Sequence, residues 1–215
     1  MTSITKSGEK RRRMSAADRR ETILDAALEE FALNGFHETS LEGVADRAGI
    51  SKALIYEHFD SKRELHSALL NRYVHGLFEK VFAALAAADP LEQRLRNAAD
   101  GFLSFVEENR EPWRLMVRYP SDSGIDSAIG EQQGSMAHAF AALMRGDATE
   151  EMERDPDRGQ FEVDMIAQQI TGAWRAVAIW WDDHRDIPRE RLLNTLMDFA
   201  WIGMDRLTQG ETWES

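Results

Sequence analysis

The sequence predicts an all-α protein. Three observations predict it: apolar residues recur at helical spacing from end to end, alternating β-type segments are nearly absent, and hydroxyl residues followed three positions later by Glu mark repeated helix starts. The first helix is expected over about 16–34, with Ile23, Leu24, Ala27, Leu28 and Phe31 on its inner face and Gly35 as its stop. Thr39 with Glu42 reads as a capping box for a two-turn helix whose Leu41, Val44, Ala45 and Ala48 share one face. Gly49 ends that helix, Ile50 is an apolar plug, and Ser51 caps a short helix beginning at Lys52. Ser61 with Glu64 is a further capping box. From it a long helix runs through Leu65, Leu69, Tyr73, Leu77, Phe78 and Phe82 to a stop before Asp89-Pro90.

A fifth helix is expected over about 91–109, and a short one containing Trp113, Met116 and Val117 starts at Pro112 and is stopped by Pro120. Residues 121–134, rich in Ser, Gly and Asp, read as loop passing into a helix with Met136, Phe140, Leu143 and Met144. Residues 145–159 read as a polar, exposed connection. Two strongly apolar helices close the chain, over about 161–183 and 188–207. Val163, Ile166, Ile170, Trp174, Val177 and Trp181, then Leu192, Leu196, Phe199, Trp201, Ile202 and Leu207, exceed what a one-sided helix needs. Burial on two sides follows, one against the domain and one against a partner subunit.

The 215 residues carry a net charge of −12, unevenly spread. The first 75 residues hold 12 Lys and Arg against 12 Asp and Glu, so the acidic excess belongs to the remainder. Only the first third can lie against a polyanion, and residues 1–20 are its most basic part. There is no cysteine, hence no disulfide framework or thiolate metal site. Neither a secretory leader nor an 18-residue apolar span is visible, so a soluble, cytoplasmic protein without membrane contact is expected. No phosphate loop, nucleophile elbow or His-x-x-x-His helix appears, so neither enzyme nor metal or cofactor site is expected. Asp182, Asp183 and His184 are better explained as a polar helix end than as metal ligands.

Two short helices joined by a glycine-containing turn form a helix-turn-helix, the device that sets a recognition helix in the DNA major groove. The segment from Thr39 to Glu64, TSLEGVADRAGISKALIYEHFDSKRE, resembles the DNA-binding domain of the TetR family of bacterial transcriptional regulators. The resemblance rests on the helix Ile23 to Leu33, Gly35-Phe36, the Thr39-Ser40 start, the AGIS turn, and Lys52, Ile55, Tyr56, Phe59 and Ser61-Lys62. It covers roughly the first third of the chain, and the rest agrees in helical content and length only. With Ile55 and Phe59 inward, Lys52, Ala53 and Tyr56 face the groove. The resemblance favours a DNA contact by Tyr56. Thr39, Ser40, Ser51, His58 and Lys62 lie at the edges, where helix N-termini and short donors meet phosphates. Ala53-Leu54 stands where many relatives have Gly-Thr, shifting base reading from hydrogen bonds towards methyl contacts. The Lys10 to Arg13 run, with Arg12 and Arg13 as candidate contacts, reads either as a solubilising tail or as an arm along the minor groove.

The resemblance further implies a basic arm over 1–15, a DNA-binding domain over 16–64 and a ligand-binding and dimerisation domain over 65–215. It implies a homodimer through the helices at about 161–183 and 188–207, and double-stranded DNA as partner, at a palindromic operator. Repression relieved by a small apolar or amphipathic effector is the family's usual mode. Candidate effector-lining residues are Phe78, Phe82, Phe102, Phe105, Trp113, Met116, Met136, Phe140 and Trp174, each of which has core packing as the plainer role. Arg114, Arg118, Arg175 and His138 are candidates for an acidic head group, with surface exposure as the alternative. The competing function is a non-catalytic apolar-ligand carrier or interaction protein that retains the helix-turn-helix as scaffold. Its buried positions alone would then be needed, whereas Lys52, Tyr56 and Lys62 are all present.

Overall fold

The computed structural model describes residues 14–118, 141 and 156–208, with side chains for all of these except 118, 156–159, 162 and 203–208. Every regular element among them is helical: α1 Ala16–Glu38, α2 Leu41–Ala48, α3 Lys52–Tyr56, α4 Lys62–Leu85, α5 Leu91–Glu108, α6 Arg110–Arg118, α7 Pro156–Asp182 and α8 Arg189–Thr208. Met136 and Phe140, the loop 121–134, and residues 145–155 of the expected connection lie outside the described residues. So do Arg12, Arg13 and His138.

Local chemistry accounts for the ends. Ser15 and Asp18 form a reciprocal capping box at α1. Gly35 breaks α1 at φ 72°, ψ 177°, a backbone conformation that a side chain would strain, and one further helical turn follows to Glu38. The box expected from Thr39 and Glu42 is replaced by a single cap one residue on, since Gly43 has no side chain to complete a box. Ser40 caps α2, accepting from the Gly43 N–H at 3.0 Å, while Thr39 is buried against α1 and its hydroxyl faces the carbonyls of Gly35 and Glu30 at 2.7 and 3.1 Å. Gly49 ends α2 in the left-handed region, φ 66° and ψ 34°, with Ile50 N–H returning to the Ala45 carbonyl. Ser51 and Ser61 cap α3 and α4 through the N–H groups of Leu54 and Glu64. Helix α6 begins two residues before Pro112, and α7 begins at Pro156 rather than 161, a proline in the first turn being compatible with helix in both cases.

Packing divides into two apolar clusters. One joins α1, α2, α3 and the first half of α4, from Leu65 to Val74, around Ile23, Phe31, Val44, Ile55 and Phe59. The other joins the second half of α4, from Leu77 onward, to α5, α7 and α8 around Leu95, Leu103, Trp174 and Trp181. The clusters therefore divide after Val74, inside α4, and a cut at 64/65 runs through the first of them. Helix α6 belongs to both. Trp113 packs in the second cluster, whereas Leu115 and Met116 pack in the first, where α6 lies against α1 and α4.

Helices α7 and α8 are two-sided. Val163, Ile170, Trp174, Trp181, Leu192 and Leu196 are buried in the chain's own core, while Phe161, Met165, Trp180, Phe199 and Ile202 remain exposed. Phe199 is 81% exposed and Ile202 61%. A row of large apolar groups in water on two helices is a surface prepared for another protein surface. Among the described residues no helix is long and apolar enough to cross a membrane.

Candidate functional site

The helix-turn-helix presents a polar face above an apolar base. Ile55 and Phe59 are 0% and 1% exposed and anchor α3, leaving Lys52, Ala53, Tyr56 and Glu57 on the outer side. The Tyr56 side chain stands half in solvent. Lys52 Nζ lies 3.5 Å from the Glu42 carboxylate across the turn, an exposed pair that a phosphate can displace. Ser40 and Ser51 are exposed and use their hydroxyl oxygens as acceptors for capping, so each keeps its proton to donate outward. His58 is half-buried beside Phe59, and its carbonyl accepts from Arg20, whose guanidinium lies 4.3 Å over the Phe59 ring.

Two of the expected edge residues do different work. Thr39 is 2% exposed and its hydroxyl proton faces the carbonyls of α1, so it has none to offer a phosphate. Lys62 turns inward: its ammonium donates to the carbonyls of Phe36, Thr39 and His37 at 2.7, 2.8 and 2.9 Å and sits 4.8 Å over the Phe36 ring. Three donors meet three acceptors, and the residue straps the broken end of α1 to the start of α4. Other cations of the domain are similarly committed, Arg47 to Glu29 and Glu30, and Arg72 to Glu21 and Asp25. Arg63 is not. It is exposed in the first turn of α4 with no ion pair among the described residues. The Lys62-Arg63 doublet carries no sign in the sequence of which member turns in.

A cavity of about 250 Å³ opens between α4, α5, α6 and α7. Phe78, Phe102, Trp113 and Met116 line it, as expected from the sequence. Val74, Leu77 and Val117 complete the apolar wall, and α7 contributes Gln168, Thr171, Gly172, Arg175, Ala176 and Ile179 at helical spacing. Three expected residues are placed otherwise. Phe82 stacks on Phe78 at 5.3 Å outside the cavity, and Phe105 is buried in the core of α5. Trp174 is 3% exposed against Phe102 and belongs to the core, where truncation to alanine costs about 3–5 kcal/mol. Met116 is both cavity wall and part of the cluster that holds the helix-turn-helix.

Of the cations considered for an acidic head group, Arg114 is committed: it bridges Glu111 and the buried Asp182 at 2.8 Å each, tying α6 to the end of α7. Asp182 also meets Arg185, and His184 stacks on Trp180 at 3.9 Å, so the Asp182-Asp183-His184 run serves the helix end.

Comparison with known proteins agrees with this geometry. The family model "Bacterial regulatory proteins, tetR family" matches residues 23–69, and "Tetracyclin repressor-like, C-terminal domain" matches residues 91–203. The chain is 29% identical over 197 residues to the HTH-type transcriptional activator FasR of Mycolicibacterium smegmatis, covering 91% of this chain and 87% of that protein. It is 37% identical over 90 residues to the HTH-type transcriptional regulator RutR of Escherichia coli, 39% of this chain and 42% of that one. A TetR-like transcriptional regulator from Rhodococcus sp. RHA1 superposes with a TM-score of 0.71 at 28% identity, covering 90% and 99% of the two chains. A tetR-family regulator from Streptomyces coelicolor superposes with a TM-score of 0.67 at 23% identity, covering 87% and 80%.

Proposed function

Since the chain belongs to the TetR family and is a DNA-binding transcriptional regulator rather than an enzyme, we propose that an apolar or amphipathic effector in the α4–α7 cavity sets its hold on a palindromic operator. Regulators of this family bind operator DNA and dimerise. The single observation that carries the effector reading is Met116, which lines the cavity and packs in the same cluster as Ile23, Val44 and Ile55 beneath the recognition helix. Filling the cavity displaces a wall that the DNA-reading unit also uses. In a dimer the two units address successive major grooves about 34–36 Å apart, so a small tilt of α4 and α6 breaks the match. The effector acts only through tighter binding to the conformation that does not fit DNA.

On the DNA side, Lys52, Ala53 and Tyr56 read the groove and Ser40, Ser51, His58 and Arg63 position the unit on phosphates, with Arg12 and Arg13 of the basic arm adding contacts alongside. The open apolar rows of α7 and α8 form the subunit contact. A cytoplasmic site of action follows from the DNA partner. Repression is the family's commoner output. Activation is a second reading, favoured by the name of FasR, to which this chain is similar along most of its length.

Selection of bound duplexes from a random pool at about physiological salt tests the reading, because affinity depends steeply on salt. A palindromic enriched site, released when an apolar compound is added, is the expected result. Enrichment with no compound-dependent release across a broad apolar set refutes the effector part. No enrichment by a folded dimer refutes the operator.

A further inference from the structure

The cavity is walled by apolar groups on α4, α5 and α6 and carries its polar groups mainly on α7, and two polar groups left without an acceptor among the described residues, the Arg175 guanidinium and the Trp113 indole N–H, are both donors. Among the described lining groups Arg175 is the one charged residue, half-buried and with no ion pair to any described residue. Trp113 also lines the cavity, is 4% exposed, and its indole N–H has no acceptor among the described residues. The Thr171 hydroxyl donates to the Ala167 carbonyl at 2.8 Å and so offers the cavity only an acceptor, and Gln168 supplies an amide from the next turn. A guanidinium and an indole N–H are donors without acceptor capacity, and their complement is a group that only accepts.

Glycine 172 adds an independent observation. It stands in the interior of α7, where glycine is unfavourable by about 1 kcal/mol relative to alanine. A Cβ at this position would meet nothing within 4 Å, so no neighbour in the chain requires its absence. It lies between Gln168 and Arg175 on the cavity side of α7, and its missing side chain widens the cavity beside the cation.

Resting on the effector reading above, we infer that the cavity takes a single-tailed anionic amphiphile, its carboxylate or similar acceptor-only head on Arg175, its chain passing the Gly172 backbone into the space between Phe78, Phe102, Trp113 and Met116. About 250 Å³ lies just below the common range of ligand pockets, roughly 300–1,000 Å³, and suits one medium-length chain rather than a polycyclic or two-tailed molecule.

The test compares dodecanoate, dodecan-1-ol and dodecylammonium by isothermal titration against the full-length dimer and by release from the selected operator. Dodecanoate is expected to bind at least about tenfold more tightly than the other two, the scale of one charge-assisted hydrogen bond. Arg175→Gln brings dodecanoate to the level of the alcohol and leaves the alcohol unchanged. Gly172→Leu, which gains helix propensity and so keeps the fold, abolishes binding of all three while retaining the dimer. Equal affinity for acid and alcohol overturns the head-group assignment and leaves the apolar-cavity reading standing. Failure of all three to bind, with operator affinity unmoved, overturns both. Dissociation of the Gly172→Leu dimer overturns the role given to that glycine, placing it in the subunit contact instead.

Discussion

His66 makes the stability of the DNA-reading unit depend on pH, and the size of the effect follows from its surroundings. The ring is 0% exposed, edge-on to Phe31 at 4.7 Å and tilted against Phe36 at 5.0 Å, and neither of its nitrogens has a hydrogen-bond partner among the described residues. Burial, helped by the nearby charge of Lys62, pushes its pKa from 6.5 down to about 4. Between those values the unfolded chain binds a proton that the folded chain refuses. Stability is therefore complete above the unfolded value and is lost as pH falls towards the folded one. The loss is roughly 2 kcal/mol per chain at pH 5 and about 3 kcal/mol at pH 4.

Replacing the ring with an apolar side chain of similar size, His66→Leu, removes both the titration and two unpartnered nitrogens. The variant is expected to be at least as stable as the parent near neutrality. Urea unfolding at one protein concentration, at about pH 7.5 and about pH 5 for both proteins, isolates the residue, because the carboxylates common to both cancel in the double difference. That difference is expected near 2 kcal/mol per chain. A value indistinguishable from zero means that His66 finds a proton acceptor in the fold, and the argument from its burial fails.

Lys62 and Arg63 separate by two different readouts: Lys62→Met unfolds the domain more easily by about 2–4 kcal/mol, whereas Arg63→Gln leaves stability alone and lowers the log-log salt slope of operator binding by about two, roughly one for each subunit of the dimer. A salt slope changed by Lys62→Met at full stability reverses the assignment. Tyr56→Ala weakens operator binding by about tenfold in a mobility-shift titration while sedimentation shows the dimer intact, and unchanged affinity removes Tyr56 from the interface. Phe199→Glu, which acts twice in a symmetric contact, raises the dimer dissociation constant at least about a hundredfold by analytical ultracentrifugation. A dimer unaffected by it places the subunit contact elsewhere.

Much of the helix-turn-helix was legible because its signals are local: an apolar stripe, a glycine at positive φ and serine caps each act within four residues. Thr39 and Lys62 show where locality ends. Thr39 and Ser40 are both hydroxyl residues able to cap α2, the Glu three positions on favours Thr39, and only the fold of α1 back over Thr39 gives the cap to Ser40. Likewise, the three carbonyls that hold Lys62 converge because Gly35 breaks α1, and nothing within Ser61-Lys62-Arg63 announces them. In the cavity the large residues of α4, α5 and α6 were identifiable as an apolar set, but Phe102 and Phe105 look alike by spacing and differ only in which neighbour they meet. The α7 wall gave no apolar signal, being built largely from Gln168, Thr171, Gly172, Arg175 and Ala176.

Helix α6 is short, yet its side chains are divided between the two apolar clusters, Trp113 in one and Leu115 and Met116 in the other. Neither half of the protein can open without stripping partners from the same nine-residue helix. The two halves are thus one cooperative unit in the thermodynamic sense, and calorimetry of the dimer is expected to give a single heat-absorption peak. Amide hydrogen exchange carries the same signature: a compound that fills the cavity slows exchange not only in α5 and α7 but in α1, which touches no part of it.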